Sequence, residues 1–236
     1  MQERIINIMQ SFVSGLKGEE PKKIGILFSG GRDSSILAAA LACVSGVEIH
    51  LLTMTNGVSH GLDRIEAQAA KIKRVSEENG VVLYRKVIDV TDQFQKLVMR
   101  EIEKDFIKRK FASLLTCVGC KYIMHVAALD YAKQMDLDAM VDGYSVRQEE
   151  FPEQTHTFMK RVENLYAFEG VVACSPLYEV LDTRENIIAI LHAFGLEKSE
   201  GNCMFAFAFS PALPQDIILY LDALERRLEE DPFISV

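Results

Sequence analysis

The chain has 236 residues, 49% of them hydrophobic and 25% charged, with a formal net charge of −8. That is the balance of a soluble globular protein with one substantial core, or one core plus a small appendage; it excludes a surface basic all over and leaves room for a local basic face. No apolar run reaches the roughly 18 residues of a membrane span, and the first ten residues lack a signal-peptide layout.

In chain order, Ile5, Ile6, Ile8, Met9, Phe12, Val13 and Leu16 predict an amphipathic helix over 1–16, and GEEPKK (18–23) reads as a short polar linker. Short apolar runs then alternate with longer helical patterns. The runs are IGILF (24–28), VEIHLLTM (47–54), VVLYRKVID (81–89), AMVDGY (139–144) and VVACSPL (171–177). Helix-like stretches fall near 33–44, 60–79, 91–113, 121–135 and 183–194. This alternation predicts an α/β fold: a doubly wound parallel sheet of about five strands in three layers, with right-handed crossovers and helices on both faces. The tail over 213–230 carries Ile217, Ile218, Leu221, Leu224 and Leu228 at helical spacing. It caps the core or offers a dimer face.

The stretch ILFSGGRDSSILAAALA (26–42) passes abruptly from strand-like to helix-like sequence with little side chain at the joint. In an open parallel sheet, ligands bind beyond the carboxyl ends of the strands, and Ser29 to Ser34 fall at such an end. Gly30 and Gly31 let the backbone turn tightly and aim consecutive amides at an anion, and the helix from about Asp33 adds its unpaired N–H groups. Ser29, Ser34 and Ser35 offer hydroxyls, while Asp33 can hold a magnesium ion that bridges phosphate oxygens. A P-loop is excluded, because the glycines are adjacent and no lysine follows.

FSGGRDSS resembles the SGGxDS signature of the PP-loop ATP pyrophosphatases, the adenine nucleotide alpha-hydrolase-like (HUP) superfamily, which includes GMP synthetase, argininosuccinate synthetase, 7-cyano-7-deazaguanine synthase and the tRNA thiolases. The resemblance implies cleavage of ATP to AMP and pyrophosphate, with AMP activating a substrate oxygen. It implies nucleotide contacts from Ser29, Gly30, Gly31, Arg32, Asp33, Ser34 and Ser35, and from Thr53 and Gly143 around the adenosine. The expected organisation is an N-terminal helix and linker over 1–20, the PP-loop domain over 21–207, and a helical tail over 208–236 packed on that domain.

Five cysteines in a chain this long do not make a disulfide scaffold. The expected setting is a reducing cytoplasm, with thiols kept for chemistry or metal. Cys117 and Cys120 form a CxxC at the expected start of a helix, where the dipole favours thiolate. Alone, it fits half a zinc site, a redox pair or two small core residues. Cys203 lies in a glycine-containing loop, while Cys43 and Cys174 read as core.

The order of CVGC, a helix, a strand ending at Gly143, PL, a charged helix and GNC is similar to tRNA 2-thiouridylases and tRNA 2-thiocytidine synthetases. From the first group, Cys117 and Cys203 would be the two reactive cysteines; from the second, Cys117, Cys120 and Cys203 would be the ligands of a [4Fe-4S] cluster. Three thiolates hold three irons of such a cube and leave the fourth open to a sulfide. A structural zinc site usually takes four protein ligands, and no fourth cysteine or paired histidine accompanies these three. A persulfide or disulfide pair and a structural metal stay open as alternatives. GYSVRQEE (143–150) departs from the GHxxDD or GHYAR pattern of relatives. Arg147 matches the arginine of the second pattern and can face a phosphate; for the missing groups, either Tyr144, Gln148 or Glu149 substitutes or the substrate differs. Asp142 is a site residue or a strand-end cap. His60 is a candidate wall of the nucleotide pocket, and His125 and His192 read as core or surface groups.

Lys96, Arg100, Lys104 and Lys108 recur at spacing four in the stretch 91–110, with Arg109 and Lys110 beyond them. On one helix face they form a stripe able to neutralise tRNA phosphates, or a solvated face laced with Glu101, Glu103 and Asp105. The expected function is ATP-dependent sulfur insertion into a tRNA base or a small molecule. The alternatives are an amide or nitrile ligase similar to 7-cyano-7-deazaguanine synthase, and a non-enzymatic nucleotide-binding module with a structural metal.

Overall fold

A computed structural model describes residues 2–109, 115–181, 183–197, 202–203, 205 and 212–230, without the side chains of His60, Lys108, Arg109 and Asn202. In chain order come α1 (Gln2–Gly15), β1 (Lys22–Leu27), α2 (Arg32–Leu41), β2 (Val47–Thr55), the two-residue β3 (Ser59–His60), α3 (Leu62–Glu78) and β4 (Val82–Asp89). Then follow α4 (Thr91–Leu97), α5 (Ile102–Arg109), α6 (Leu115–Met135), β5 (Ala139–Val141), α7 (His156–Ala167), β6 (Val172–Cys174), α8 (Arg184–Ala193), the two-residue β7 (Asn202–Cys203) and α9 (Pro214–Glu230). Among the described residues, no helix is long and apolar enough to cross a membrane.

The five apolar runs become one sheet in the order β4-β2-β1-β5-β6, with every neighbouring pair parallel. Core residues from α1, α2, α3 and α8 gather in one apolar cluster, and those from α4, α6, α7 and α9 in another. The result is the expected three-layer, HUP-like α/β arrangement. The tail helix α9 buries Ile217, Tyr220, Leu221, Leu224 and Leu228 in the second cluster, whereas Ile218 stays exposed. The expected boundary at 207/208 falls outside the described residues.

Four local expectations are corrected. Lys22 and Lys23, read as linker, open β1 and pair with Val47 and Glu48. The helix expected at 121 starts at Leu115, so Cys117 and Cys120 lie inside α6. A helix absent from the expectation, α7, buries only Phe158, Val162 and Tyr166, a stripe one residue wide among polar neighbours. The long helix over 91–113 is broken by a 3-10 turn at Met99–Glu101, beside the buried Leu97 and Val98. An i,i+4 ladder needs an unbroken helix, so Lys96, Arg100 and Lys104 do not form one straight stripe. Lys104 is paired with Glu101 at 2.7 Å, and the side chains of Lys108 and Arg109 and all of Lys110 lie outside the described residues.

Helix α8 begins where the Thr183 hydroxyl accepts the Asn186 amide at 3.3 Å, and it sends Ile187, Ile190 and Leu191 into the first cluster. Thr183→Ala removes this cap and should cost about 1 kcal/mol, a melting shift of roughly 2–4 °C in a chain of this size, read by thermal denaturation.

Candidate functional site

β1 has β2 on one side and β5 on the other, so the strand order changes direction there and a crevice opens at the carboxyl ends. The chain leaves β1 through Phe28, Ser29 and Gly30. At Gly30 φ is +68°, and a Cβ would stand 2.9 Å from the Cα of Ile65 on α3. Only glycine accommodates both the turn and that neighbour. Ser29 Oγ accepts the Gly31 amide at 3.3 Å and lies 3.1 Å from Ser34 Oγ.

From across the crevice, Gly143 presses on the first turn of α2. A Cβ there would meet the Ser34 nitrogen at 2.5 Å and the Asp33 carbonyl carbon at 2.9 Å. Gly143→Ala therefore has to push backbone against backbone, and overpacking of this kind costs typically 1–3 kcal/mol. ATP binding followed by isothermal calorimetry should weaken by about tenfold per 1.4 kcal/mol placed on the loop.

Between these elements lies a cavity of about 320 Å³. Ser29, Gly31, Arg32, Asp33 and Ser34 form one wall; Asp142, Gly143, Tyr144, Lys121, Gln148 and Gln154 form the other. Thr53 is buried below it and donates its hydroxyl to the Phe28 carbonyl at 3.2 Å, bracing the loop rather than facing the cavity. Arg147 reaches in behind, its Nη2 donating to Asp33 Oδ2 at 3.1 Å and Oδ1 at 3.4 Å. Burial lifts the Asp33 carboxyl above the usual carboxylate range, against the opposing pull of Arg147 and Arg32. Arg147 Nε and Ser35 Oγ are buried without a hydrogen-bond partner. Gly30 and Gly143 are thus explained by close contacts within the chain, to Ile65 and to the first turn of α2, while Ser35 and Arg147 lie behind the residues that line the cavity.

A second cavity, of about 350 Å³, adjoins the first. Cys117, Cys120 and Cys203 all line it, with Asn56, Ser59 and Glu153; Lys121, Gln148 and Gln154 belong to the walls of both cavities. Two elements absent from the sequence expectation bring Cys203 there. β7 pairs antiparallel with β3, placing Cys203 opposite Ser59, so Cys203 sits in a strand rather than a free loop. Asn56, just after β2, accepts the amides of Val58 and Ser59 at 3.1 and 3.0 Å and donates to Cys120 Sγ at 2.9 Å. Its signal was the Asn-Gly pair at 56–57. Lys121 was signalled only by its position after the CxxC.

The thiols differ from expectation in one respect. Burial pushes Cys117 up to about 12, with added repulsion from Glu153, Cys120 and Cys203, and pushes Cys120 up to about 11 against Lys121 and the Asn56 bond. A helix N-terminus supplies about 1 kcal/mol, less than one pH unit, so desolvation wins. These sulfurs become thiolates when a metal or another cation replaces the proton. Among the described residues, no three His, Cys, Asp or Glu side chains converge tightly enough to ligate a single metal ion. Cys43 and Cys174 are half-buried and pack against the first cluster, as expected of core residues.

Asp142, beyond β5, is buried. Its Oδ1 accepts Ser175 Oγ at 2.5 Å and the Tyr144 amide at 3.1 Å, so it is both a strand-end cap and a wall of the first cavity. Burial raises it to about 7 despite those bonds. His125 is buried in the core, its Nε2 3.0 Å from Tyr144 Oη, and burial keeps it neutral with a value near about 3. His192 is exposed in the last turn of α8.

The curated relative tRNA-specific 2-thiouridylase MnmA of Dinoroseobacter shibae is 28% identical over 141 residues, covering 55% of this chain and 34% of its own; the chain thus spans about a third of that relative's length. Among solved structures, the U34-tRNA thiolase NcsA from Methanococcus maripaludis with its [4Fe-4S] cluster superimposes with a TM-score of 0.52 at 14% identity, over 98% of this chain and 75% of that one. NMN synthetase from Francisella tularensis gives 0.53 at 10% identity over 100% and 95% of the chains, and NH3-dependent NAD synthetase from Campylobacter jejuni 0.51 at 15% over 99% and 88%. At such identities these three carry the fold alone. Residues 21–198 match the thiamine biosynthesis protein (ThiI) family, so this chain belongs to that family, within the PP-loop ATP pyrophosphatase superfamily.

Proposed function

We propose that this chain is an ATP-dependent sulfurtransferase that exchanges a carbonyl oxygen of a tRNA base for sulfur. The observation that carries the reading is the shared wall: a cavity built around the SGGRDS loop and a cavity holding three thiols meet at Lys121, Gln148 and Gln154. The acceptor oxygen attacks the α-phosphorus of ATP and pyrophosphate leaves; sulfur at the level of hydrosulfide then adds to the activated carbon, and AMP departs with the oxygen. The tRNA acceptor is supported by the thiouridylase relative.

The loop amides with Ser29 and Ser34 hold the phosphates, and Arg147 steadies the loop from behind through Asp33. Asp33 fits a magnesium ligand in type and place. Lys121 contributes positive charge between the two cavities, where charge develops as pyrophosphate leaves. Cys117, Cys120 and Cys203, three soft donors lining one cavity, are the residues that would hold a [4Fe-4S] cluster. Such a cluster, when bound, supplies an iron without a cysteine at which sulfide can sit.

The test is anaerobic incubation of the iron- and sulfide-treated protein with ATP, sulfide and an unmodified tRNA transcript. Expected are AMP and pyrophosphate together with a thiolated nucleoside by mass spectrometry. Pyrophosphate release that needs ammonia and inserts no sulfur would select the ligase reading, and ATP binding without any pyrophosphate would select the binding module.

A further inference from the structure

Among the described residues, the nucleotide cavity and the thiol cavity share the side chains of Lys121, Gln148 and Gln154. Lys121 brings charge to that wall, and the two glutamines bring only hydrogen bonds. An amide side chain is ambiguous by itself, because its oxygen accepts, its nitrogen donates, and either can be turned toward a neighbour. Here a backbone group removes the ambiguity. The Ser145 amide can only donate, and it donates to Gln154 Oε1 at 3.2 Å. The Gln154 nitrogen is therefore the atom that faces Gln148, and it donates to Gln148 Oε1. What remains of the Gln148 amide is Nε2, which only donates.

Backbone bonds hold this relay in place. Gln148 closes the 3-10 turn Val146–Gln148, its amide donating to the Ser145 carbonyl at 2.8 Å, and its carbonyl accepts the Phe151 amide at 2.9 Å. Gln154 closes the next turn, Pro152–Gln154. Its amide donates to the Phe151 carbonyl at 2.9 Å, and its carbonyl accepts the Tyr178 hydroxyl at 3.0 Å. Gln148 Nε2 has no partner among the described residues, and it is not one of the buried atoms left without one, so it stays open to a ligand. The Lys121 ammonium is donor-only as well. The shared wall thus offers donors, because the side-chain oxygens of both glutamines are already taken.

Resting on the sulfurtransferase reading, we propose that Gln148 reads the acceptor base: its Nε2 donates to a ring carbonyl other than the one being replaced, and Gln154 is the positioning residue that keeps the amide turned that way. In that reading the activated carbon sits where the two cavities meet, with the nucleotide on one side and the incoming sulfur on the other. A pyrimidine with two carbonyls flanking one ring nitrogen meets the donor with its second oxygen. Cytosine carries an amino group in place of one of them, which sets donor against donor. A site built to bond an oxygen rejects an analogue lacking it far more strongly than an apolar pocket rejects a change of shape. Sulfur addition also pushes electron density through the ring nitrogen onto the second oxygen, so the bond strengthens as the carbon is attacked.

The experiment first maps the base that wild type thiolates in an unmodified tRNA transcript, by mass spectrometry after anaerobic iron and sulfide treatment and incubation with ATP and sulfide. Two further transcripts are then made, one with cytidine at the mapped position and one whose mapped base has sulfur, a weak acceptor, in place of its other carbonyl oxygen. Wild type, Gln148→Leu, Gln148→Glu and Gln154→Glu are assayed for kcat/KM on each, beside calorimetric titration with ATP. On the normal transcript Gln148→Leu should lose about tenfold to a hundredfold, and so should Gln148→Glu, which keeps the bond from Gln154. Gln154→Glu should lose as much with Gln148 untouched: a carboxylate still accepts from Ser145 but draws the Gln148 nitrogen to itself and turns the Gln148 oxygen to the substrate. The sulfur-bearing transcript should cost wild type about the same factor and cost Gln148→Leu nothing further, the non-additivity of two partners in one bond. The cytidine transcript should fall by about a hundredfold or more in wild type. Wild-type rates in Gln148→Leu, a full further loss in that variant on the sulfur-bearing transcript, or thiocytidine as the wild-type product would overturn the proposal and leave the sulfurtransferase reading intact. A loss confined to ATP affinity would assign Gln148 to the nucleotide and overturn it as well. No thiolated nucleoside from any transcript would remove both. Should Gln148→Leu fail to fold, Gln148→Glu and the wild-type comparison of transcripts still decide.

Discussion

Cys203→Ala is expected to lower sulfur transfer to tRNA by about 10³-fold or more, the order of effect seen when a member of an interdependent catalytic set is removed, while ATP affinity stays at the wild-type level. The reason is geometric. Among the described residues, Cys203 lines the thiol cavity and is absent from the walls of the nucleotide cavity, and the two spaces share Lys121, Gln148 and Gln154. Cys117→Ala should behave in the same way, whereas Cys43→Ala and Cys174→Ala should lose stability only slightly and keep activity, since both side chains pack against the core. The measurement is thiolated nucleoside per unit time beside calorimetric titration with ATP. Retained sulfur transfer in Cys203→Ala would place the sulfur's route elsewhere.

Asp142→Asn should reverse part of the protein's pH response. The folded carboxyl ionises near about 7, against an ordinary 3.8, because burial outweighs its bonds from Ser175 and the Tyr144 amide. The unfolded chain therefore loses this proton first as pH rises. The stabilisation from the protonated native form is complete below about pH 4 and falls by roughly 1.4 kcal/mol per pH unit until the folded carboxyl itself ionises near 7. Between pH 5 and 8 the wild type should lose about 3 kcal/mol through this one group. Asparagine keeps an acceptor for Ser175 and Tyr144 and cannot ionise, so the variant should be the more stable protein at pH 8, with a margin that shrinks toward pH 5. Urea unfolding at several pH values reads this directly. Parallel pH curves for the two proteins would show that Asp142 is ionised in the native state throughout.

The parts of the molecule that could be read in advance are those encoded locally. The SGGRDSS joint announces itself because adjacent glycines and short hydroxyl side chains have little use in an ordinary strand–helix turn, and the five apolar runs carry their own boundaries. What escaped reading depends on contacts remote in sequence. Ser59 and Cys203 stand 144 positions apart in the chain, and their pairing brings the third thiol to the other two. Asn56 touches Cys120 from the far side of the chain. α7 hid because Phe158, Val162 and Tyr166 form a single-file stripe that a periodicity search reads weakly. The basic ladder is not straight because regular spacing in sequence does not reveal the 3-10 turn at Met99–Glu101 that interrupts the helix. The thiol acidity reversed because desolvation cannot be seen until the fold closes over Cys117 and Cys120.

The β3–β7 pair is only two residues long on each side. A ladder so brief opens at a small fraction of the global unfolding free energy. The chain can therefore finish its sheet and both helical layers before Cys203 docks beside Ser59, and the thiol cavity can open along that edge while the rest of the protein stays folded.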